Sequence, residues 1–369
     1  KMKKKKILFI IWSFTYGGGA ERVLANIVNN LDKNRYDIDI IEYWHTNINN
    51  EEINDNVTLL EPIIDADNDS ILKKILYKIL LYVFPYYLRK KYIKNNYDMQ
   101  ISFNYLIPTF LLDKKCKTYA WVHGDVYDLN NDKLNYIAQK KSFKNVNKIV
   151  AISNNTKKSL LEVFPEYKNK IVLINNGFNI QNIIDKSTSF EVKNKKKIIL
   201  FINRFDNNKN PLFAIEVAKK LVDAGYDFKM QFIGKGDLLE QMNKRISELK
   251  IEKYIDILGY QKNPYPYIKN AHIVIGCSYS EGFPTIFVEA ITLGVPFVST
   301  NVGGALEISN DEQCGFIANN IEEFVSKIEL LMADTKLYNK FSREAICYSK
   351  NFSIESQIKN IEKMIGDEK

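Results

Sequence analysis

The chain has 369 residues, a length typical of two domains of ordinary size. Hydrophobic residues make up 46% and charged residues 26% of it, a composition that excludes a disordered or fibrous protein. The net charge of +8 comes almost entirely from residues 1–6, with five lysines, and residues 71–97, with seven basic and no acidic residues. Because the remainder is slightly acidic, the composition argues against a general polyanion-binding protein.

Short apolar runs alternate with amphipathic segments along the sequence, a pattern that predicts alternating strands and helices. The predicted strands cover residues 7–12, 37–43, 99–103, 118–122, 148–152, 171–174, 198–202, 229–233, 255–258, 273–277 and 296–300. The predicted helices cover residues 20–31, 154–163, 211–224, 238–249 and 285–293. Apolar strands separated by helices indicate parallel sheets covered on both sides. Eleven such strands exceed what one open sheet usually holds, so we expect an α/β fold with two doubly wound domains.

The basic start followed by the apolar run at 7–12 imitates a signal peptide. That run has only six residues and no small-residue cleavage site follows it, which favours a buried first strand. No stretch approaches about 18 continuous apolar residues, so we expect no membrane-spanning helix. The four cysteines lie far apart without a CxxC pair, which predicts reduced thiols of a cytoplasmic protein rather than a zinc site or disulfides.

Turn and linker signals place a domain boundary near residues 176–197. Asn176-Gly177 is a turn signal, residues 187–189 are polar, and residues 193–197 are rich in lysine. The strand predicted at 198–202 then restarts the pattern of the first strand. The expected domains are therefore residues 1–180 and 181–351.

Three consecutive glycines at 17–19 follow the first predicted strand and open a helix. Glycine lets the backbone turn tightly and approach a ligand, and a helix N-terminus favours anions. One alternative is a plain strand-to-helix turn. Another is the dinucleotide fingerprint of an NAD-dependent oxidoreductase, with Glu42 as the ribose-binding acid. That fingerprint needs a third glycine where the chain has Arg22, which argues against it.

Two cations follow the strand predicted at 198–202. Arg204 and Lys209 lie on a loop at the carboxyl end of that strand, where open α/β sheets bind ligands. Two cations on such a loop suit a leaving diphosphate, although solvated loop charges are the alternative. Gly234 and Gly236 follow the next predicted strand and indicate a second loop of close backbone approach.

Two glutamates flank the start of the helix predicted at 285–293. Eight helical residues rise about 12 Å, whereas a glycosidase pair of carboxyl groups lies about 5–9.5 Å apart. Glu281 and Glu289 are therefore expected to contact different parts of one elongated ligand, such as a nucleotide-sugar. Gly282 and the backbone of residues 283–285 would face a phosphate. The alternative is two solvated acids.

Together these motifs resemble retaining glycosyltransferase family 4. The residues that carry the resemblance are Gly17-Gly18-Gly19-Ala20-Glu21-Arg22, Arg204 with Lys209, Gly234 with Gly236, Gly259-Tyr260 with Asn263-Pro264-Tyr265, and Glu281-Gly282-Phe283-Pro284-Thr285 with Glu289-Ala290. The resemblance implies the GT-B fold, in which two Rossmann-like domains face each other across a cleft. It further implies that no metal or other cofactor is required and that residues 352–369 cross back to the N-terminal domain.

The resemblance also implies a role for each matching residue. Glu289 would bind the donor ribose, and Glu281 would bind hydroxyls of the transferred sugar. His123, in Trp121-Val122-His123-Gly124, matches the active-site histidine of the family. The other implied donor-binding residues are Gly18, Gly19, Arg204, Lys209, Gly234, Gly236, Gly282, Phe283, Pro284 and Thr285. The resemblance also implies transfer with retention by front-face attack. Among nucleotide bases we expect uridine, over guanosine or adenosine.

The basic segment 71–97 interleaves its cations with tyrosines and a short apolar run. This pattern predicts a pair of interfacial helices, broken at Pro85, that bind an anionic membrane surface. The predicted membrane-facing cations are Lys73, Lys74, Lys78, Arg89, Lys90 and Lys91. A buried hairpin with snorkelling lysines is the alternative, and no module accompanies the segment that would indicate nucleic-acid binding.

The expected function is that of a peripheral enzyme on the inner face of the cell membrane. It would transfer a hexose or N-acetylhexosamine from a UDP-sugar to a lipid-linked glycan or polysaccharide precursor of the cell envelope. An oxidoreductase, or a binding module for a nucleotide-sugar or lipid without catalysis, remains as an alternative.

Overall fold

The computed structural model describes residues 4–16, 19–48, 53–104 and 107–366. The chain divides into two compact units, one formed by Lys1–Gly177 with Ile354–Lys369 and the other by Phe178–Ser353. Each unit has its own parallel sheet with helices packed against it. None of the helices in the described ranges is long and apolar enough to cross a bilayer.

The first unit is built around a sheet that contains seven parallel strands among its described residues. Its strands are β1 (Lys5–Ile11), β2 (Tyr36–Glu42), β3 (Trp44–His45), β4 (Val57–Leu59), β5 (Ile64–Asp65), β6 (Met99–Ser102), β7 (Lys117–Val122), β8 (Lys148–Ala151) and β9 (Ile171–Leu173). Its helices are α1 (Gly19–Asn30), α2 (Ile71–Val83), α3 (Pro85–Tyr92), α4 (Lys133–Lys144), α5 (Asn154–Val163) and, near the end of the chain, α14 (Ile354–Ile365). The main sheet has the order β4-β2-β1-β6-β7-β8-β9, and β3 pairs with β5 separately.

The second unit contains six parallel strands in its sheet. Its strands are β10 (Lys197–Ile202), β11 (Phe228–Ile233), β12 (Ile255–Gly259), β13 (Ile273–Gly276), β14 (Phe297–Thr300) and β15 (Gly315–Ala318). Its helices are α6 (Ile180–Lys186), α7 (Pro211–Asp223), α8 (Leu239–Leu249), α9 (Tyr265–Asn270), α10 (Thr285–Thr292), α11 (Ala305–Ile308), α12 (Ile321–Ala333) and α13 (Thr335–Ser349). The strand order is β12-β11-β10-β13-β14-β15.

The architecture predicted from the alternating apolar runs is confirmed. All eleven predicted strands are present with ends within two residues of those expected, and they are parallel. The strands are buried on both faces because helices cover both sides; residues 7–11 of β1, for example, are almost completely buried. In the second unit, Phe201, Phe228 and Phe232 form the centre of one apolar core.

The strand order reverses once in each sheet, and these switch points position the loops of interest. In the first unit, β1 lies between β2 and β6, so the chain extends the sheet first on one side and then on the other. In the second unit, β10 lies between β11 and β13 in the same way. In open α/β sheets, ligands bind outside the carboxyl ends of the strands at such a point.

The helix α14 belongs to the first unit. Its buried residues include Ile354, Ile361 and Ile365, and it packs against α1. Arg35 forms an ion pair with Glu362. A Cβ atom at Gly177 would lie 2.8 Å from atoms of Ile354 and Gln357, so the close approach of α14 requires glycine there.

Candidate active site

The switch point of the second unit brings together the loops that follow β10 and β13. The side-chain amide of Asn208 donates to the backbone oxygen of Ser280 at 3.0 Å. The backbone N–H of Tyr279 donates to the backbone oxygen of Asn208 at 2.8 Å. These two bonds hold the loops side by side and so fix the positions of the charged residues that they carry.

Lys209 and Glu281 form an ion pair between these two loops. Their side chains are only 13% and 15% exposed, so the pair is largely shielded from water. The hydroxyl of Ser278 donates to the same Oε1 atom of Glu281 at 2.8 Å. Asp206 orients the lysine loop, since its Oδ1 accepts from the backbone N–H of Lys209 at 2.9 Å. A carboxylate and an ammonium group held in this way can bind sugar hydroxyls and phosphate oxygens respectively.

Arg204 lies on the same loop as Lys209 but on its exposed side. Its side chain is 74% exposed and its Nη2 atom lies 3.2 Å from Oδ2 of Asp206. A surface ion pair of this kind contributes only about 0–1 kcal/mol, so little free energy opposes movement of the guanidinium towards an anionic ligand. The sequence prediction of two cations on one loop is consistent with this placement, although they occupy different environments.

Gly234 and Gly236 allow two loops of the second unit to pack closely. A Cβ atom at Gly234 would lie 1.9 Å from the backbone oxygen of Asn203, and one at Gly236 would lie 2.4 Å from that of Phe205. The backbone N–H of Phe205 donates to the oxygen of Lys235 at 2.9 Å. The close backbone approach predicted at these glycines is therefore an approach to the loop after β10. This packing supports that loop, which carries Arg204 and Lys209.

The helix α10 begins at Thr285, directly after the segment that contains Glu281. Phe287 anchors this helix, because its ring stacks on Phe297 of β14 at 4.1 Å and lies where a Cβ atom of Gly276 would be. Pro284 precedes the helix and has no N–H to donate. Of the four predicted residues before the helix interior, Gly282 is half-buried, Phe283 and Pro284 are buried, and Thr285 is exposed. Glu289 is half-buried within α10.

The loop after β14 was not singled out by sequence reasoning. Gly304 has φ +78°, and a Cβ atom there would lie 2.8 Å from Cδ2 of Phe283. Its backbone therefore packs against the segment that carries Glu281 and Gly282. The signal that could have identified this loop is the pair Gly303-Gly304 shortly after a predicted strand, as at 17–19.

The switch point of the first unit contains the end of β1 and the residues after β6. The backbone N–H of Trp12 donates to Oδ1 of Asn104 at 2.7 Å, which joins the two loops. Gly19 is the first residue of α1, and the described part of the chain leaves open space around its Cβ position. Gly18, also predicted to bind the donor, lies outside the described residues.

His123 follows β7 and is held as a neutral ring. Its Nε2 atom lies 2.6 Å from the backbone oxygen of Phe103, and a carbonyl oxygen can only accept, so Nε2 carries the proton. Burial lowers the pKa of His123 to about 4. The ring is therefore uncharged at neutral pH, and Nδ1 is an acceptor suited to a hydroxyl group of a ligand.

Glu42 is a structural carboxylate of the first unit. Its Oε2 atom accepts from the backbone N–H of Phe14 at 2.7 Å and from the N–H and hydroxyl of Thr15 at 3.3 and 3.1 Å. Its Oε1 atom accepts from Nδ1 of His45. The alternative that assigned Glu42 to a cofactor ribose is therefore wrong, because the loop after β1 and His45 occupy its two oxygens. This positioning role of Glu42 and His45 was not predicted.

The titration of His45 reflects this contact. Burial lowers the pKa of His45, but the hydrogen bond and negative charge of Glu42 outweigh burial and raise it above the usual value.

No group of three or more His, Cys, Asp or Glu side chains within the described ranges is arranged to hold a metal ion.

The basic segment 71–97 folds as α2 and α3, which meet at Phe84. Tyr77, Leu81 and Leu88 are buried, whereas most of the other apolar side chains face outward. More than half of the surface is exposed at Ile71, Leu72, Ile75, Leu76, Ile79, Val83, Phe84, Tyr86 and Tyr87. The two-helix form broken before Pro85 is present, and the outward apolar side chains disagree with the alternative of a buried hairpin.

The cations of this segment differ in their environments. Lys78 and Lys90 are exposed and have no partner within the described residues. Lys91 donates to the hydroxyl of Tyr77 at 2.6 Å. Lys73 pairs with Asp69, and Lys74 donates to the backbone oxygen of Ala66; both of these acceptors precede α2.

The sequence prediction that Arg89 is a membrane-facing cation is wrong. Its side chain is 13% exposed, and its guanidinium donates to Oε1 of Gln100, to the backbone oxygen of Leu111 and to Oδ2 of Asp113. These three acceptors lie inside the first unit. Arg89 therefore fixes α3 to the sheet and to the segment after β6.

Two doubly wound parallel sheets, with polar side chains at each switch point, agree with the GT-B fold that the sequence predicts. The family model described as Glycosyltransferase Family 4 matches residues 17–182, and the model described as Glycosyl transferases group 1 matches residues 182–347. The chain belongs to glycosyltransferase family 4, and the predicted family and GT-B fold of two Rossmann-like domains are confirmed.

Individual relatives agree with this assignment. An uncharacterized glycosyltransferase of Haemophilus influenzae is 25% identical over 96% of this chain and 98% of its own length. A Campylobacter jejuni enzyme is 26% identical over 55% of this chain and 56% of that enzyme; it is named N-acetylgalactosamine-N,N'-diacetylbacillosaminyl-diphospho-undecaprenol 4-alpha-N-acetylgalactosaminyltransferase. The crystal structure of HepE from Anabaena in complex with UDP is similar in fold, with a TM-score of 0.76 and 16% identity over 98% of this chain and 99% of HepE.

Proposed function

We propose that this protein is a retaining, metal-independent glycosyltransferase that uses a UDP-sugar. It would transfer a hexose or N-acetylhexosamine to a lipid-linked glycan or polysaccharide precursor. The observation that carries the proposal is the shielded pair of Lys209 and Glu281 at the switch point of the second unit. The UDP complex of HepE supports the donor, and the name of the Campylobacter enzyme supports a lipid-linked acceptor.

In the proposed reaction, the bond between the sugar C1 and the UDP oxygen breaks and a bond from C1 to the acceptor oxygen forms on the same face. The acceptor proton moves to the departing phosphate oxygen, so the protein supplies no separate base. Lys209 and Arg204 neutralise the diphosphate as its negative charge develops, the kind of electrostatic stabilisation that dominates many enzymatic reactions. Glu281 accepts hydrogen bonds from sugar hydroxyls.

The remaining predicted residues bind parts of the donor. Glu289 would accept from the ribose hydroxyls, and backbone N–H groups of Gly282, Phe283 and Thr285 would donate to phosphate oxygens at the start of α10. Neutral His123 would accept from a hydroxyl of the transferred sugar through Nδ1. Gly18 and Gly19 would let the start of α1 approach the donor.

A panel of nucleotide-sugars tests the donor assignment. Release of UDP from UDP-glucose, UDP-galactose and their N-acetylated forms, with a membrane lipid extract as acceptor, is compared with release from GDP-mannose. Glu281→Gln should lower turnover by about 100-fold or more, because the neutral amide is a weaker acceptor for the sugar hydroxyls. Lys219→Ala, which removes a surface ion pair with Asp223 on α7, is the matched control. Its turnover should stay within about twofold of the wild-type value.

Three results would reject parts of this proposal. Wild-type turnover of Glu281→Gln would reject the site. A preference for GDP-mannose would reject uridine. Stabilisation by UDP without sugar transfer to any acceptor would favour a binding module without catalysis.

We also propose that α2 and α3 attach the enzyme to the inner face of the cell membrane. The outward apolar side chains, with exposed Lys78 and Lys90 beside them, support insertion into an anionic interface. The double variant Lys78→Glu with Lys90→Glu should bind vesicles of anionic lipid at least fivefold less tightly. Lys244→Glu with Lys262→Glu, an equal charge change in the second unit, is the control. Equal loss in both variants would reject the assigned surface.

A further inference from the structure

An apolar groove opens on the first unit beside α2. It lies between the end of α2, the 3-10 turn Ile107–Leu111 and α4, and its volume is about 250 Å³. Its apolar lining includes Leu81, Val83, Pro85, Phe110, Leu112 and Ala138. Sites for drug-sized molecules usually enclose about 300–1,000 Å³, so this groove is better matched to a narrow hydrocarbon chain than to a nucleotide or an oligosaccharide.

Exposed apolar side chains lie on both helices that border the groove. Val83 and Phe84 at the end of α2 are 59% and 63% exposed. On α4, Leu134 and Ile137 are 81% and 62% exposed, and each lies one helical turn before a residue that lines the groove. A cluster of exposed apolar side chains on a protein in water favours contact with an apolar partner. The groove is thus continuous with a surface suited to the hydrocarbon region of a membrane.

The charges at the groove have a positive balance. Lys114 and Lys141 line it, both are exposed, and neither ammonium group has a partner within the described residues. Asp113 also lines the groove, but its carboxylate is paired with Arg89 at 3.2 Å. The two unpaired lysines therefore offer an anionic group a place beside the apolar channel.

We propose that this groove binds one hydrocarbon chain of a phosphate-bearing lipid, with Lys114 and Lys141 contacting the phosphate. The proposal rests on the membrane attachment proposed for the first unit and is independent of sugar transfer by the second. A chain held here would add a single-lipid contact to the general attraction between α2, α3 and an anionic surface.

Soluble lipid analogues test the groove apart from a bilayer. Farnesyl phosphate, farnesol and inorganic phosphate are titrated below the concentration at which they aggregate, with calorimetry as the readout. Wild type should bind farnesyl phosphate and not inorganic phosphate. Ala138→Phe, which fills the groove, should weaken binding of farnesyl phosphate at least tenfold. The double variant Lys114→Glu with Lys141→Glu should weaken binding of farnesyl phosphate at least fivefold and binding of farnesol less than twofold.

Ile75→Ser is the matched control, since Ile75 is exposed on α2 but does not line the groove. It should leave farnesyl phosphate binding within twofold while it lowers binding to vesicles. Thermal stabilisation by UDP, measured on every variant, reports separately on the second unit and on folding. A photoreactive isoprenyl phosphate on the wild-type protein should label α4 or residues 107–112.

Absence of farnesyl phosphate binding by the wild type would overturn the proposal, as would unchanged binding by Ala138→Phe. Label confined to other segments would overturn it too. So would a dimer that Ala138→Phe dissociates, because the groove would then be occupied by a second copy of the chain.

Discussion

The two switch points have the same topology but differ in the contacts of their charged side chains. In the second unit, the loops after β10 and β13 contribute Lys209 and Glu281, whose charges are shielded from water and directed at each other. In the first unit, the carboxylate of Glu42 accepts hydrogen bonds from the loop after β1 and from His45, and His123 is neutral. Two similar backbones therefore carry side chains of different chemistry at the same place in the sheet.

The difference follows from what each arrangement can exchange with a ligand. A shielded ion pair can replace its internal partner by phosphate or sugar hydroxyls, and the low surrounding dielectric makes those contacts strong. A carboxylate that already accepts four hydrogen bonds from the protein gains nothing by releasing them. The second switch point therefore suits a charged diphosphate, and the first suits uncharged hydroxyl groups.

Replacement of Lys209 by methionine should produce the largest effect. Glu281 would be left shielded from water without its counter-charge, so the free energy of unfolding should fall by about 3 kcal/mol. UDP binding and sugar transfer should both fall by about 100-fold or more, because the diphosphate loses a cation. Chemical denaturation, calorimetry with UDP and the UDP-release assay measure these three quantities.

Lys229→Met provides the control for this variant. Lys229 pairs with Asp256 at 2.7 Å on β11 and β12, and both side chains are about one third exposed. Loss of this pair should lower the free energy of unfolding by about 1 kcal/mol or less and leave UDP binding unchanged. Equal effects of the two substitutions would remove the distinction between an exchangeable site pair and an ordinary surface pair.

Gly234→Ala tests whether the loop that carries Lys209 depends on its neighbour. The new methyl group would clash with the backbone oxygen of Asn203, so we expect a loss of about 2–3 kcal/mol in unfolding free energy and weaker UDP binding. Gly124→Ala is the control, because open space surrounds that Cβ position and its stability should change by less than about 0.5 kcal/mol. Equal stability of the two variants would contradict the tight packing of the loops.

Glu42→Gln probes the first switch point in isolation. An amide offers one acceptor oxygen where the carboxylate offers two, so the free energy of unfolding should fall by about 1–2 kcal/mol. UDP binding should stay within about twofold, unlike in Lys209→Met. Glu162→Gln, which alters an exposed contact with the hydroxyl of Tyr127, serves as the control. A large loss of UDP affinity in Glu42→Gln would show that the two switch points are not independent.

The fold was predictable because continuous apolar runs, even short ones, identify strands covered on both faces. The strand β15 was missed since it has four residues and begins with Gly315. The structure explains that glycine, because a Cβ atom there would lie 2.6 Å from the ring of Phe297 on the neighbouring strand. The edge strand β4 was missed because only its first residue is buried, which leaves no apolar run to detect.

The site was predictable as a set of residues but not as a set of contacts. Lys209 and Glu281 were both singled out by their loops, yet their pairing joins residues 72 positions apart and follows from the adjacency of β10 and β13. Arg89 was misassigned for a related reason, since counting charges in a segment does not reveal acceptors that come from later parts of the chain. Glu42 and His45 likewise show their role only once the loop before α1 is folded.

The smallest expected effect concerns pH and the pair of Glu42 and His45. The pKa of His45 is raised in the folded protein, so protonated His45 stabilises the fold at pH values below the usual histidine pKa. This contribution is lost as the pH rises through the raised pKa. Because the pair is partly exposed, it should amount to about 1 kcal/mol or less. The measurement is the difference in unfolding free energy between wild type and His45→Gln from pH 5.5 to 8.5.

His123, whose pKa is lowered rather than raised, supplies the control. Burial lowers the pKa of His123 to about 4, so its contribution to stability is complete above the usual histidine pKa and is lost as the pH falls towards 4. The wild-type advantage over His45→Gln should therefore shrink with rising pH, whereas the advantage over His123→Gln should grow between about pH 4 and 6.5. Parallel profiles would contradict this contrast, in which burial dominates the pKa of His123 and the carboxylate of Glu42 dominates the pKa of His45.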